Sequence, residues 1–300
     1  MRVTLIHNPG AGKSQHDADE LVKLLSEAGH DVRYQSSKDD GWKHALKKRA
    51  DLIVVAGGDG TVGRVTRRMV GRGVPVALLP LGTANNIARS LGQLERPLEA
   101  LVRGWERARR VKLDVGVAAG PWGERYFVEG VGVGLFADLL ANGAGKKKKR
   151  KRGKDSVDNA LRRLRDAAER IEPVEVAARL DGKEISGRYL LFEAVNLRYV
   201  GPNLHLAGDS KTGDGSLDVM LVGEAERERL VHYLDTWQDN RERIAMLPSI
   251  RGERLEMEWP GYALHIDDKV HPKAGAKPKE VAGVVEARLD GASVEFLTSP

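Results

Sequence analysis

The sequence predicts an α/β N-terminal domain with a doubly wound parallel sheet, followed by a mainly antiparallel β domain. Two observations carry this. In the first third, short apolar runs alternate with amphipathic stretches of helical period, the mark of repeated β-α-β units. Beyond Val117 the rhythm changes to strand patterns joined by tight turns.

The elements follow in order. Val3 to Ile6 is the first strand, and Leu21, Leu24, Leu25 and Ala28 then recur at helical spacing until Gly29 ends the helix. Val32 to Gln35, Leu52 to Ala56, Val74 to Leu79 and Val111 to Val117 are further strands, with helical patterns between them. In the second half, Val174 to Leu180 and Glu184 to Val195 flank Asp181-Gly182, a strong hairpin signal. Val284 to Leu289 and Ala292 to Leu297 flank Asp290-Gly291 in the same way. Two helices interrupt this half. One runs from about Ser156 to Ile171 with Val157, Leu161, Leu164 and Ala168 on one face, and the other lies near Ala225 to Trp237. The expected boundary puts a nucleotide-binding domain at 1–117 and a β-rich domain at 118–283.

Composition narrows the class. The 300 residues, 41% hydrophobic and 31% charged, suffice for two cores. Runs such as Leu52 to Ala56 fall far short of the ~18 residues that cross a bilayer. Met1-Arg2 leads straight into a strand with no apolar signal core, so a cytoplasmic location is expected. Without cysteine there is no disulfide, thiolate metal site or cysteine nucleophile. The net charge is +6, but eight basic residues fall in Lys146 to Lys154, and the remainder carries −2. A basic nucleic-acid groove is therefore not expected, and the tract has no aromatic residue for base stacking. Attraction to an anionic membrane surface is the expected use, with nucleic-acid attraction competing and a solvated loop without a partner as the plainest alternative.

Three loops stand where strands give way to helices, the edge at which open α/β sheets bind ligands. His7-Asn8-Pro9-Gly10-Ala11-Gly12-Lys13-Ser14 tempts a P-loop reading, but the signature needs glycine five residues before Gly12, where histidine stands. Val54 to Thr61 runs a strand into Gly57-Gly58-Asp59-Gly60-Thr61, glycines that admit an anion around a carboxylate able to hold magnesium or accept a proton. Pro80 to Asn86 is the third.

Gly57-Gly58-Asp59-Gly60-Thr61 and Leu81-Gly82-Thr83-Ala84-Asn85-Asn86-Ile87-Ala88-Arg89 together resemble the diacylglycerol kinase catalytic domain family, which includes bacterial lipid kinases and sphingosine kinases. The resemblance continues through Leu113-Asp114-Val115-Gly116, Phe127 to Gly134, Asn196 with Tyr199 to Gly201, and Asp214-Gly215-Ser216-Leu217-Asp218. It implies a nucleotide-binding α/β domain and a β-sandwich acceptor domain, with the last strand, about 284–300, able to return to the first. It also implies ATP and Mg2+ as cofactors and a lipid acceptor at the inner membrane face. A homodimer is left open.

Carried onto matching positions, Asn8 and Lys13 would face ATP phosphates, Gly57 to Thr61 would form the nucleotide loop, and Thr83 with Asn85 would contact the nucleotide. Ser36 and Ser37 are secondary candidates. Asp59 and Asp114 would serve the acidic network around magnesium, and Asp214 a separate metal-binding turn.

The sequence departs from the family in three places. An expected Asp-Gly-Glu reads Asp267-Asp268-Lys269, Asn86 stands where many bacterial members have aspartate, and Gly63-Arg64 replace Asn-Glu. The expected base is then Asp59, with Asp267 next. Lys269 would need strong burial to act as a base, and otherwise neutralises phosphate or meets an acidic acceptor. Glu129 and Glu193 interrupt apolar strands and are candidates for the missing acid, against a strand-end or solvent-facing placement. His265 is either a switch or a satisfied structural histidine. The alternatives to a lipid kinase are a nucleotide-binding regulator and a kinase of a soluble alcohol.

Overall fold

A computed structural model describes residues 1–12, 16–94, 96–143, 154–207, 210–237, 247–272 and 282–298. Lys13 and positions 146–153 of the basic tract lie outside these residues. The chain forms two units, the first being chiefly Met1–Val115 joined by the chain from Ala292 onward.

In the first unit, β1 (Arg2–His7), β2 (Asp31–Ser36), β3 (Leu52–Gly57) and β4 (Val76–Pro80) are parallel and lie in the order β2-β1-β3-β4. Every residue of β3 is buried, as a strand covered on both faces requires. The helix α1 (Ala18–Glu27) follows β1, α2 (Asp59–Met69) follows β3, and α3 (Asn86–Ser90) and α4 (Leu98–Gly104) both follow β4. Asp17 caps α1 by accepting from the Glu20 amide at 2.8 Å, and Gly29 takes the left-handed φ of 80° just beyond it. Leu5, Leu21, Leu25, Val54 and Leu79 are among the residues that close the core. Beyond β4 comes Ser293–Thr298, parallel to it, and then β5 (Arg109–Asp114), antiparallel to that returning strand.

The second unit contains β6 (Gly116–Gly120), β7 (Gly123–Phe127), β8 (Gly130–Gly134), α5 (Leu135–Gly143), α6 (Lys154–Ala168), β9 (Val174–Leu180), β10 (Lys183–Glu184), β11 (Gly187–Val195), β12 (Tyr199–Val200), β13 (Leu204–His205), β14 (Leu217–Gly223), α7 (Arg227–Thr236), β15 (Ser249–Gly252), β16 (Arg254–Trp259), β17 (Leu264–Ile266), β18 (Lys269–His271) and β19 (Gly283–Arg288). All their pairings among the described residues are antiparallel. One run, β18-β17-β8-β11, continues through β9 into β16-β19-β6-β7. Side chains from both halves share one core, including Phe127, Val133, Phe192, Leu264, Met257, Trp259 and Val285. Asp181-Gly182, both at positive φ, turns β9 into β10.

Two sequence expectations are corrected. Val111 to Val117 is two strands, because the Val115 amide bonds to the Ala292 carbonyl at 2.8 Å while Gly116 begins β6 opposite Phe127. Asp290-Gly291 does not close a hairpin. β19 pairs with β16 and β6, and Ser293–Thr298, now β20, pairs with β4 and β5. The turn chemistry is local, whereas Val285 and Ala287 bury in one core and Val294 and Phe296 in the other sheet, so burial overrides the turn.

Gly116 carries a specific steric demand. A Cβ there would come 2.1 Å from the ring of fully buried Phe127. Gly116→Ala is expected to destabilise the protein by about 1–3 kcal/mol in urea unfolding, the usual cost of overpacking.

Candidate functional site

In the first unit the three strand-end loops converge. The Asn8 amide nitrogen donates to the Ala56 carbonyl at 2.9 Å, and its side-chain Nδ2 donates to Thr61 Oγ1 at 3.1 Å. Asn8 Oδ1 accepts from the Gly10 amide at 3.2 Å. The Leu81 amide donates to the Gly57 carbonyl at 3.1 Å. A Cβ on Gly82 would stand 2.3 Å from Gly58 Cα, and one on Gly12 would stand 2.6 Å from the Leu81 carbonyl oxygen. The three loops therefore meet backbone to backbone, which only glycine permits. Asn85 holds the third loop from a left-handed φ of 53°, accepting from the Gly82 amide at 2.9 Å and donating to its carbonyl at 3.0 Å.

Asp59 opens α2 and reaches across to α3, where its Oδ1 accepts from the Ile87 amide at 3.0 Å. Burial pushes its pKa above the usual carboxylate value, against backbone amides led by Ile87 and Asn86 that favour the charged form. Thr83 is exposed, and Ser36, buried at the end of β2, accepts from the Lys38 amide at 3.1 Å. Ser37 donates from its backbone to the His7 carbonyl. Asp114 is buried at the end of β5. Arg64 donates to the Gly60 carbonyl at 3.2 Å and, like Arg68, lies over the Trp42 ring.

The glycine cradle fits a triphosphate, since backbone amides can approach anionic oxygens where no Cβ intrudes. Magnesium fits less completely. Among the described residues no three His, Asp or Glu side chains gather into a metal-holding group. Magnesium commonly takes one or two carboxylates and completes its shell with phosphate and water, so Asp59 and Asp114 remain suitable donors. Asp214, in the second unit, is paired with the Arg251 guanidinium and accepts from the Ser216 amide at 3.1 Å, so a cationic partner already serves that carboxylate.

The second unit holds a cavity of about 320 Å³. Phe136, Leu139, Leu140, Leu164, Val200 and Pro202 line it, together with Glu129, Glu193, His265, Asp267, Asp268 and Arg163. Strand alternation explains the polar members. Phe192 and Ala194 of β11, Val131 and Val133 of β8, and Leu264 and Ile266 of β17 point into the shared core, so Glu193, Gly132 and His265 lie on the opposite face. These three are also in register, with Glu193 and His265 each opposite Gly132 on the strand between them. A Cβ at Gly132 would come 1.9 Å from Glu193 Oε2, so the missing side chain makes the space in which the outer two meet.

His265 Nε2 lies 2.8 Å from Glu193 Oε2 and Nδ1 lies 2.9 Å from the Asp267 carbonyl oxygen. Glu193 is 2% exposed and His265 6%, which overturns a strand-end or solvent-facing placement for Glu193. Burial alone would lower the His265 pKa, but the charge and hydrogen bond of Glu193 with the Asp267 carbonyl outweigh it and raise it above 6.5. Glu129 is half-buried at the bend before β8.

Asp267 occupies the β17–β18 turn at a left-handed φ of 50°. Its Oδ1 accepts from the amides of Val128 at 3.0 Å, Glu129 at 2.8 Å and Gly130 at 3.4 Å. A carboxylate so engaged anchors the turn, and taking up a proton would cost it those bonds. Lys269 is 73% exposed and pairs with Asp268 at 2.7 Å. It lacks the burial that a lysine base would need, which leaves the other expectation for it, a charge that neutralises phosphate or meets an acidic acceptor. The sequence reading missed the cavity walls on α5 and α6. The alternate glycines of Gly130-Val131-Gly132-Val133-Gly134, facing a strand with a lone glutamate, were the available signal.

A parallel sheet whose strand ends gather three glycine loops precedes an antiparallel unit, an arrangement shared with solved kinases. Residues 2–118 match the family model described as diacylglycerol kinase catalytic domain. A diacylglycerol kinase of Bacillus subtilis (strain 168) is 26% identical over 306 residues, covering 97% of this chain and 89% of the relative. The crystal structure of a diacylglycerol kinase from Bacillus anthracis str. Sterne matches with a TM-score of 0.70 at 21% identity, covering 100% of this chain and 97% of that one. Yeast NADH kinase, solved with NADH, shares the fold at a TM-score of 0.51 and 9% identity, covering 100% of this chain and 84% of that one.

Two outcomes are expected. Gly82→Ala should weaken nucleotide binding by at least about tenfold in titration calorimetry, because the added methyl drives apart the loops that meet at Gly58. In an NMR titration, His265 should protonate above pH 6.5 in the native chain and at lower pH in Glu193→Gln, where only the carbonyl and charge of Asp267 still oppose burial. The matching stability contribution is fully present below the unfolded histidine pKa and is lost as pH rises through the folded value. The stability gap between the two proteins should therefore narrow with rising pH.

Proposed function

We propose that the chain is a lipid kinase that takes ATP on the first unit's three loops and transfers its γ-phosphate to a hydroxyl of diacylglycerol or a related lipid held in the second unit's cavity. The cavity carries the lipid half of this reading. Its apolar wall of phenylalanine, leucine, valine and proline suits acyl chain, and its polar end suits a small uncharged head. The nucleotide half rests on the meeting of three glycine loops at the strand ends, the edge at which open α/β sheets bind ligands.

Phosphoryl transfer asks a protein chiefly for positioning and charge neutralisation. Asn8 and Thr61 brace the first two loops against each other, and Asn85 fixes the third. Magnesium held by Asp59 and Asp114 would neutralise phosphate charge when bound. Asp59 is the favoured base, standing at the start of α2 on the glycine loop. Lys13 belongs to the same reading by its place in the sequence. A lipid acceptor brings the enzyme to the membrane periphery, and the cationic tract 146–154 would add about 1 kcal/mol per charge near anionic headgroups. Among the described residues no helix is long and apolar enough to cross a membrane.

With labelled ATP, magnesium and short-chain diacylglycerol in mixed micelles, the purified chain should yield a phosphorylated lipid. Transfer to glycerol but to no lipid in a panel would instead mark a soluble alcohol as acceptor. Asp59→Asn should lower kcat by about 10²–10⁴-fold. It should melt no earlier than the native chain at pH 8, because the amide still accepts from Ile87 and no longer carries a charge that burial disfavours.

A further inference from the structure

The Glu193–His265 pair is built at some cost. A buried ion pair contributes little net stability, and apolar residues of similar volume often replace one without loss. Here the intervening strand also gives up side chains, because a Cβ at Gly132 would strike Glu193 Oε2 and one at Gly130 would approach Oε1 to 3.1 Å. A purely structural pair needs no opening, yet both residues line the 320 Å³ cavity. The bonds are also divided. His265 uses Nδ1 on the Asp267 carbonyl and Nε2 on Glu193 Oε2, while among the described residues no other hydrogen bond reaches the Glu193 carboxylate. The Asp267 carboxylate, on the same cavity, is taken up by amides of residues 128–130.

We propose that Glu193 is the seat of the acceptor's hydroxyl in the nucleotide-free complex, taking its O–H as a hydrogen-bond donor there, and that His265 is the positioning residue that holds Glu193 for it. The ligand class is an amphiphile with apolar chains and an uncharged alcohol head. The imidazole and carboxylate balance each other's charge, so such a head meets a directed acceptor without an unpaired ion. Lining of this kind discriminates strongly, because removing the donor from the ligand leaves a buried polar group unsatisfied. Phe136 packs its ring edge to face against His265 at a centroid distance of 6.3 Å, giving the apolar wall direct contact with the polar end.

This inference rests on the lipid-acceptor reading of the cavity, so its test measures binding without nucleotide or turnover. The full chain is titrated calorimetrically with 1,2-dioctanoylglycerol and with the same lipid methylated at its free hydroxyl, both below their aggregation concentrations. The native chain should bind the alcohol at least about tenfold tighter than the ether. Glu193→Ala should bind both equally, and His265→Asn should show a reduced preference. Because a lone buried partner can compromise folding, Glu193→Leu combined with His265→Leu removes both groups, and it should keep the cooperative melt while losing the preference. Equal binding of the two lipids by the native chain, binding of neither, or a preference that survives in a folded Glu193 variant would overturn the assignment. A hydroxyl preference without phosphoryl transfer to any lipid would refute the kinase reading and leave this one standing. Transfer with a preference indifferent to Glu193 would do the reverse.

Discussion

The approach of two backbones, at Gly58 and Gly82, sets the geometry of the first unit. Neither residue is special by itself, but a methyl on Gly82 would sit 2.3 Å from Gly58 Cα, well inside any van der Waals contact. With that contact in place, Asp59 can reach from α2 to the first amides of α3, and Asn85 can close the third loop on itself. The parallel order β2-β1-β3-β4 brings the strand ends to one edge, where the glycines let the backbones of three loops meet.

The second unit solves a different problem with the same residue. Its polar pair has to survive under a layer of helices, where an unpaired carboxylate would be expensive. Gly132 lets the imidazole and carboxylate meet across a strand that contributes no side chain, and the Asp267 carbonyl fixes the far nitrogen. Asp267 thereby serves twice. Its carbonyl steadies His265, while its carboxylate ties the β17–β18 turn to the segment entering β8. The turn at 267–269 is formed with Lys269 at its last position, and the buried acid of this cavity is Glu193 on β11.

Much of this was legible in the sequence. The glycine loops at 57–61 and 81–86, the parallel strands before them and the Asp181-Gly182 turn all follow from local chemistry, because each is decided by a few adjacent residues. The Asp290-Gly291 turn misled for the same reason: its flanks bury apolar faces in two different cores, a choice made by residues far away. Lys269 was a candidate because sequence shows identity without exposure. The pairing of Glu193 with His265 depends on register across three strands 132, 193 and 265 residues along the chain, and no window of sequence displays it.

The position of β20 has a consequence for how the chain is made. Residues 293–298 form an interior strand of the first sheet, between β4 and β5, although they are synthesised after the entire second unit. During translation the earlier sheet therefore waits with β4 unflanked on one side, exposing a strand edge, while the later unit has all its strands available by β19. Order of synthesis and order of completion are inverted, and the loops that gather at Gly58 belong to the part finished last.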